Sequence, residues 1–247
     1  MWIVLTALGL FAFGYILNMF YITVLYHRGL THQSIILGPK MMRWLSLTGI
    51  WVTGLDPKGW ATMHRLHHLH SDTEKDPHSP IHQGVLGVWI GQYKGYRDTL
   101  SKLMHRNDPE VNKAISDIPF DISRISRVGL SNLPYIIHAL ITLAIWYFTG
   151  YFLIAAAYFF GIMSHPVQGW MVNSLAHKYG GRNFETSDHS KNNLLVALFV
   201  FGEGFQNNHH AFPRSAKFSV KKMEIDFGYA MCLVGEKLGL FKIARPN

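Results

Sequence analysis

The segment HRLHH, residues 64–68, carries three imidazoles at helical spacing. On a helix His64, His67 and His68 stand at i, i+3 and i+4, so they share one side and can converge on one point. QNNHH, residues 206–210, repeats the spacing with Gln206 in the first place and His209 and His210 in the others. His27 and His32 close the segment HRGLTH, and Asn173 and His177, at i and i+4, close NSLAH. Imidazole suits iron, zinc, copper or nickel, so the chemistry on offer is that of a metal. A surface helix rich in histidine would account for one such cluster. Four of them, each just outside an apolar segment or on a linked helix, point to a shared site. His67 and His68 are turned about 100° from one another on a helix, so neighbours can serve different ions. Eight histidines (His27, His32, His64, His67, His68, His177, His209 and His210) are too many for one ion and suit a pair. A nitrogen shell with no thiolates, and with carboxylates scarce near the clusters, favours a redox metal such as iron, with zinc as the other candidate.

The elements that must hold these residues show in the charge pattern. Almost half of the 247 residues are hydrophobic and only 15% are charged, below the usual quarter for soluble domains. Residues 1–26 and 131–172 contain no Asp, Glu, Lys or Arg at all, which a bilayer demands and a soluble core does not. We therefore expect an all-α integral membrane protein with about three transmembrane helices, at 2–26, 131–149 and 151–172, the last two forming a hairpin that turns at Gly150. A cleaved signal peptide is disfavoured for 2–26, since no basic segment precedes the apolar run and no small-residue cleavage site follows it. Residues 38–55 begin with Gly-Pro and carry Lys40 and Arg43. They suit an interfacial helix anchored by Trp44 and Trp51. HRLHH lies on a helix from Trp60 to about His70, and SDTEKDPHSP (71–80) is turn chemistry. Residues 84–130 suit surface helices broken at Pro109 and Pro119, 193–205 are apolar but too short to cross, and a basic tail runs from Arg214. Both charged blocks and all four clusters then fall on one face of the membrane, as a helical cap that carries the di-metal site. The surplus of Lys and Arg, +8 in net charge, fits the positive-inside pattern, and no nucleic-acid motif accompanies it. Cys232 is the lone cysteine, so there is neither an internal disulfide nor a cysteine-based metal motif.

HRGLTH, HRLHH, NSLAH and GEGFQNNHH, in that order, resemble the boxes of membrane fatty acid desaturases, in particular the branch like stearoyl-CoA desaturase. DPH at 76–78 and Trp60, four residues before His64, extend the likeness, which covers about residues 10–215. The resemblance implies a single helical desaturase domain over 1–247, two irons bound by the eight histidines, and Asn173 reaching one of them through a water. It further implies a bent tunnel for a saturated acyl chain with Trp60 beside the bend, and Trp170 is a further candidate for substrate contact. His78 and Glu203 become candidates for orienting ligands. Dioxygen and electrons from a separate ferredoxin-, rubredoxin- or cytochrome-type donor would leave a cis double bond in a long-chain acyl-CoA or acyl-lipid. An acyl-lipid desaturase, a hydroxylase or an acetylenase would use the same centre, and a membrane metal carrier is the non-enzyme reading.

Two departures stand out. The third box commonly begins with His, where this chain has Gln206, a weak amide ligand whose role is open. The family commonly has one more span before the first box, and we read this chain as a short form. Away from the boxes, His138 and His165 suit neutral, hydrogen-bonded packing inside the spans. Lys217, Lys221 and Lys222 suit a phosphorylated carrier or anionic lipid. The compact form points to a bacterial inner membrane, with the histidines on its cytoplasmic face.

Overall fold

A computed structural model describes residues 1–245; Pro246 and Asn247, the end of the ARPN tail, lie outside the described residues. The chain opens with one long helix, α1 (Trp2–Thr31), in which Phe20–Thr31 is wound as a π-helix. Its first half exposes Trp2, Leu5, Leu8, Phe13 and Ile16, whereas every residue from Tyr21 to Thr31 is buried in protein. Among the described residues it is the one helix long and apolar enough to cross a membrane.

β1 (Ile35–Leu37) leads to α2 (Pro39–Thr53), whose Trp44 and Trp51 are exposed. α3 (Pro57–His70) starts where Asp56 accepts hydrogen bonds from the Lys58 and Gly59 backbone N–H groups, with Pro57 pre-setting the first turn. The buried Asp56 carboxylate also accepts from Ser123 N (2.7 Å), so the start of this helix is pinned from two sides. α4 (Pro80–His105), α5 (Pro109–Ala114) and α6 (Arg124–Arg127) follow.

The apolar hairpin comprises α7 (Leu133–Thr149) and α8 (Phe152–Ile162), joined through Gly150 at φ +73°, a conformation glycine adopts without strain. Both are apolar but shorter than α1, and Tyr147, Phe148, Phe152 and Phe160 stand exposed on them. Residues 151–172 are not one continuous helix. The chain breaks at Met163 and Ser164 and restarts as α9 (His165–Trp170), because Pro166 lacks the N–H that would continue the α8 ladder and is suited to the first turn of a new helix. A π-turn, Met171–Leu175, then delivers the chain into α10 (Ala176–Lys178). Val196 of α11 (Leu194–Phe199) and Val200 just after it pack with Met19, Val172 and Ala176, and α12 (Gln206–Ala211) carries His209 and His210.

The basic tail is more ordered than an all-helical reading expects. It forms α13 (Phe227–Lys237) and β2 (Phe241–Ile243), and β2 pairs antiparallel with β1 in the register Ile35–Ile243 and Leu37–Phe241. Phe241 and Cys232 join the core that Leu25, Leu30, Trp60 and Ala216 form around the buried end of α1.

The crossing of α1 with α8 depends on small residues. A Cβ at Gly161 would lie 2.6 Å from the Phe11 carbonyl oxygen, while Asn18 Nδ2 donates to the Ile162 carbonyl at 2.9 Å. Gly161→Val is therefore expected to force the helices apart and cost about 1–3 kcal/mol. Thermal unfolding in detergent checks this, with Gly9→Ala, whose Cβ would meet nothing within 4 Å, expected to leave the midpoint unchanged.

Candidate metal centre

Four stretches of chain meet beneath the buried end of α1. His27 comes from its last turns, His32 from the residue that follows it, and His64, His67 and His68 from α3. His177 comes from α10, and His209 and His210 from α12. Their ring nitrogens fall into two groups. His27, His32, His64, His68 and His209 offer five atoms within 4.8 Å of one another, and His67, His177 and His210 offer three. Adjacent histidines are split between the groups, His68 from His67 and His209 from His210, because successive helical side chains diverge by about 100°.

In the group of five, ring nitrogen faces ring nitrogen. The Nε2 atoms of His27 and His209 stand 2.9 Å apart, those of His209 and His68 3.0 Å, and those of His68 and His64 3.1 Å. Burial, reinforced by the neighbouring imidazoles, holds His32, His64, His68 and His209 well below the usual histidine pKa, so these rings present lone pairs.

In the group of three, the Nε2 atoms of His67, His177 and His210 are all buried without a hydrogen-bond partner. Each of those rings donates its other nitrogen to a carboxylate. His67 Nδ1 donates to Asp76 at 2.9 Å, His177 Nδ1 to Asp72 at 3.2 Å, and His210 Nδ1 to Asp188 at 2.6 Å. His27 Nδ1 meets Glu203 at 2.6 Å in the same way. A carboxylate on Nδ1 fixes the tautomer that leaves Nε2 bare and aims it, which is how metal-binding histidines are held. Burial works against ionising Asp72, Asp76 and Asp188, but the imidazoles and N–H groups facing them win and keep all three below the ordinary carboxylate range. Three bare nitrogens backed by three ionised carboxylates fit a cation, since burying such atoms unpaired costs about 1–3 kcal/mol each.

The acidic side chains are thus close to the clusters, contrary to the expectation that they are scarce there. Glu203, a candidate from the resemblance, meets His27 Nδ1, whereas the contacts of Asp72, Asp76 and Asp188 emerge only from the fold. The signal open to sequence reading is two acidic residues with a histidine beside or near them, DPH at 76–78 and SDH at 187–189, in polar loops near the boxes. Gln206 is buried on α12, and its Nε2 donates to the Glu203 carbonyl at 2.7 Å. Asn173, on the π-turn, is half-buried.

A cavity of about 110 Å³ adjoins the group of five, walled by Ile22, Leu55, Trp60, Met63, Tyr96 and Val172, with His27, His64, His78 and Asn173 also on its lining. Trp60 lies flat against His64, ring centroids 5.0 Å apart and planes within 6°, and its Nε1–H donates to His165 Nε2 at 3.2 Å. Trp170 does not line this cavity. It donates from Nε1 to the Val85 carbonyl at 2.8 Å and packs against Trp89. His138 ties the hairpin to α2, with Nε2 donating to the Trp51 carbonyl at 2.7 Å and Nδ1 accepting from Tyr158 at 2.6 Å.

Residues 1–220 match the family model for fatty acid desaturases. The chain belongs to the fatty acid desaturase family. Its curated relatives are oxidoreductases named as acyl-CoA and acyl-lipid desaturases. It is 32% identical to an acyl-CoA 5-desaturase of Anemone leveillei over 90% of this chain and 66% of that one. It is 33% identical to an icosanoyl-CoA 5-desaturase of Limnanthes douglasii over 92% of this chain and 61% of the relative. An sn-1 stearoyl-lipid 9-desaturase of Anabaena variabilis is 32% identical over 89% of this chain and 76% of its own length. The chain thus spans about two thirds of the length of these desaturases.

Proposed function

We propose that the protein is a multi-pass membrane desaturase that removes two hydrogens from a saturated long-chain acyl group and leaves a cis double bond. The observation that carries this reading is the pair of histidine groups, three of whose members hold bare, carboxylate-backed nitrogens, beside an apolar cavity. Bound there, two irons would supply dioxygen activation and the cleavage of unactivated C–H bonds, with zinc able to occupy the same nitrogens without that chemistry. His27, His32, His64, His68 and His209 would hold one ion and His67, His177 and His210 the other, with Asn173 reaching an ion through a water.

The chain's own task is placement. Each methylene buried against Ile22, Leu55 and Val172 contributes about 0.8 kcal/mol, enough in sum to hold an alkyl chain with no polar handle. Trp60, fixed by its stacking on His64 and its bond to His165, is a rigid wall that bends the path and sets which carbons pass the metals. The same apolar lining excludes water from the reacting carbons.

The uncharged stretches 1–26 and 131–172 support three spans in one domain. The histidines then lie on the cytoplasmic face, in the inner membrane of a bacterium. Electrons would come from a separate ferredoxin-, rubredoxin- or cytochrome-type donor, and Arg214, Lys217 and Arg245 line a cleft beside His32 that suits an acidic one. Acyl-CoA is the proposed substrate. The acyl-lipid reading has its own support in the similarity to the Anabaena relative. A metal carrier would string its ligands along a path through the spans, whereas here they gather in two groups, each within 4.8 Å.

Fatty acids of a host expressing the chain test this reading. New monounsaturated products, absent when His67 is alanine, are expected, and labelled acyl-CoA added to membranes separates the two substrate classes. An unchanged fatty-acid profile alongside folded, metal-loaded protein would contradict it.

A further inference from the structure

The two histidine groups are unequal, five nitrogens against three, and a fourth imidazole stands beside the smaller one. His78 is 1% exposed, and both of its ring nitrogens are buried without a hydrogen-bond partner. An imidazole always carries at least one N–H or lone pair in need of a partner, so a ring with neither nitrogen satisfied is costly to bury. His78 nonetheless sits within 4.8 Å of His67 and Asp76 in a third metal-capable set. Its ring lies 4.6 Å from that of His67 with planes 26° apart. The loop is held there by Asp76, which accepts from the His78 backbone N–H at 3.0 Å while it also receives His67 Nδ1. One carboxylate therefore positions both rings. On α12, Gln206 has its amide N–H turned to the Glu203 carbonyl and offers at most an oxygen.

We propose that His78 is a direct ligand, the fourth nitrogen of the ion held by His67, His177 and His210. This rests on the di-metal reading above. It moves His78 from a residue that orients ligands to one that is a ligand, and it makes up the shortfall of the smaller group from the loop after α3.

Cobalt(II) added to metal-free, detergent-purified protein provides the test, with bound metal counted directly and followed by absorption. The wild-type chain is expected to take up two cobalt ions. In His78→Ala, one is retained and the second binds at least about tenfold more weakly. His78→Cys separates a ligand from a neighbour, because only a thiolate bonded to cobalt gives an intense sulfur-to-metal charge-transfer band in the near ultraviolet, and thiolate is a strong ligand. The buried Cys232 is present in every protein compared, so the wild type supplies the baseline. A new band with two cobalt ions bound supports the proposal. Two ions with no new band in His78→Cys, or unchanged affinity in His78→Ala, overturns it while leaving the di-metal reading intact. Misfolding of both variants assigns His78 a structural role and overturns it too. Fewer than two ions in the wild type defeats the di-metal reading and the proposal together.

Discussion

Replacing His67 with alanine is expected to abolish turnover and to leave at most one tightly held ion per chain. His67 Nε2 is one of three bare nitrogens in its group, and His67 is the only α3 histidine that points there, since His64 and His68 belong to the other group. Removing it takes away one of the few donors and leaves Asp76, a carboxylate that is 6% exposed, without its imidazole N–H partner and held only by the Asp72 and His78 backbone N–H groups. Asp76→Asn should give a graded version, in which the imidazole keeps its place but loses an ionised acceptor and metal affinity falls about 10–100-fold. Its chemistry would be restored at high metal concentration, unlike that of His67→Ala. His70→Ala is the control, because His70 is bonded to Glu110 on the surface at 3.1 Å and belongs to neither group. Metal counted by mass spectrometry and product formation in membranes check all three. A His67→Ala protein that keeps two ions would contradict the division of the histidines into a group of five and a group of three.

Arg28→Ala is expected to be the most destabilising single change in the chain. The side chain is fully buried at 0% exposure. It donates to the Ala216 carbonyl at 2.8 Å, the Thr23 carbonyl at 3.0 Å, Glu203 at 2.8 Å and Asp226 at 3.1 Å, and it lies 3.7 Å from the centre of the Phe218 ring. Taking the guanidinium away leaves two buried carboxylates facing an empty space, a loss of about 3–5 kcal/mol. That is a large part of the roughly 5–15 kcal/mol by which a typical domain is stable. Under the proposed di-metal reading the effect would reach metal binding too, because Glu203 is held between Arg28 and His27 and would no longer hold the imidazole. Arg28→Lys should recover only part of the loss, since an ammonium cannot serve Glu203, Asp226 and two carbonyls in the planar fork that guanidinium offers. Thermal unfolding in detergent and metal content should fall together in Arg28→Ala. An unchanged unfolding midpoint would show that these charges are solvated after all.

What is legible in the sequence is whatever is local along the chain. The spacing of His64, His67 and His68 settles which face of a helix they share, and the missing charges in 1–26 and 131–172 mark the apolar helices without reference to any partner. What is not legible depends on contacts between distant residues. His177 is backed by Asp72, 105 residues earlier, and His27 by Glu203 near the far end of the chain. No local pattern links these pairs, and Asp72 in SDTEKDPHSP has the composition of an ordinary turn. The π-winding of Phe20–Thr31, the segment that carries His27, leaves no trace in composition. Pro166 does mark the break inside 151–172, but in sequence alone an unbroken apolar run outweighs one proline. The β1–β2 pair is hidden for a simpler reason: each strand is three residues long, and the two lie at opposite ends of the chain.

Anomalous scattering at the iron edge, from crystals of protein purified from iron-supplied cells, tests the di-metal site most directly. Two peaks are expected, one among His27, His32, His64, His68 and His209 and the other beside His67, His177 and His210. A single peak, a zinc signal in iron-rich preparations, or density away from both groups would contradict it.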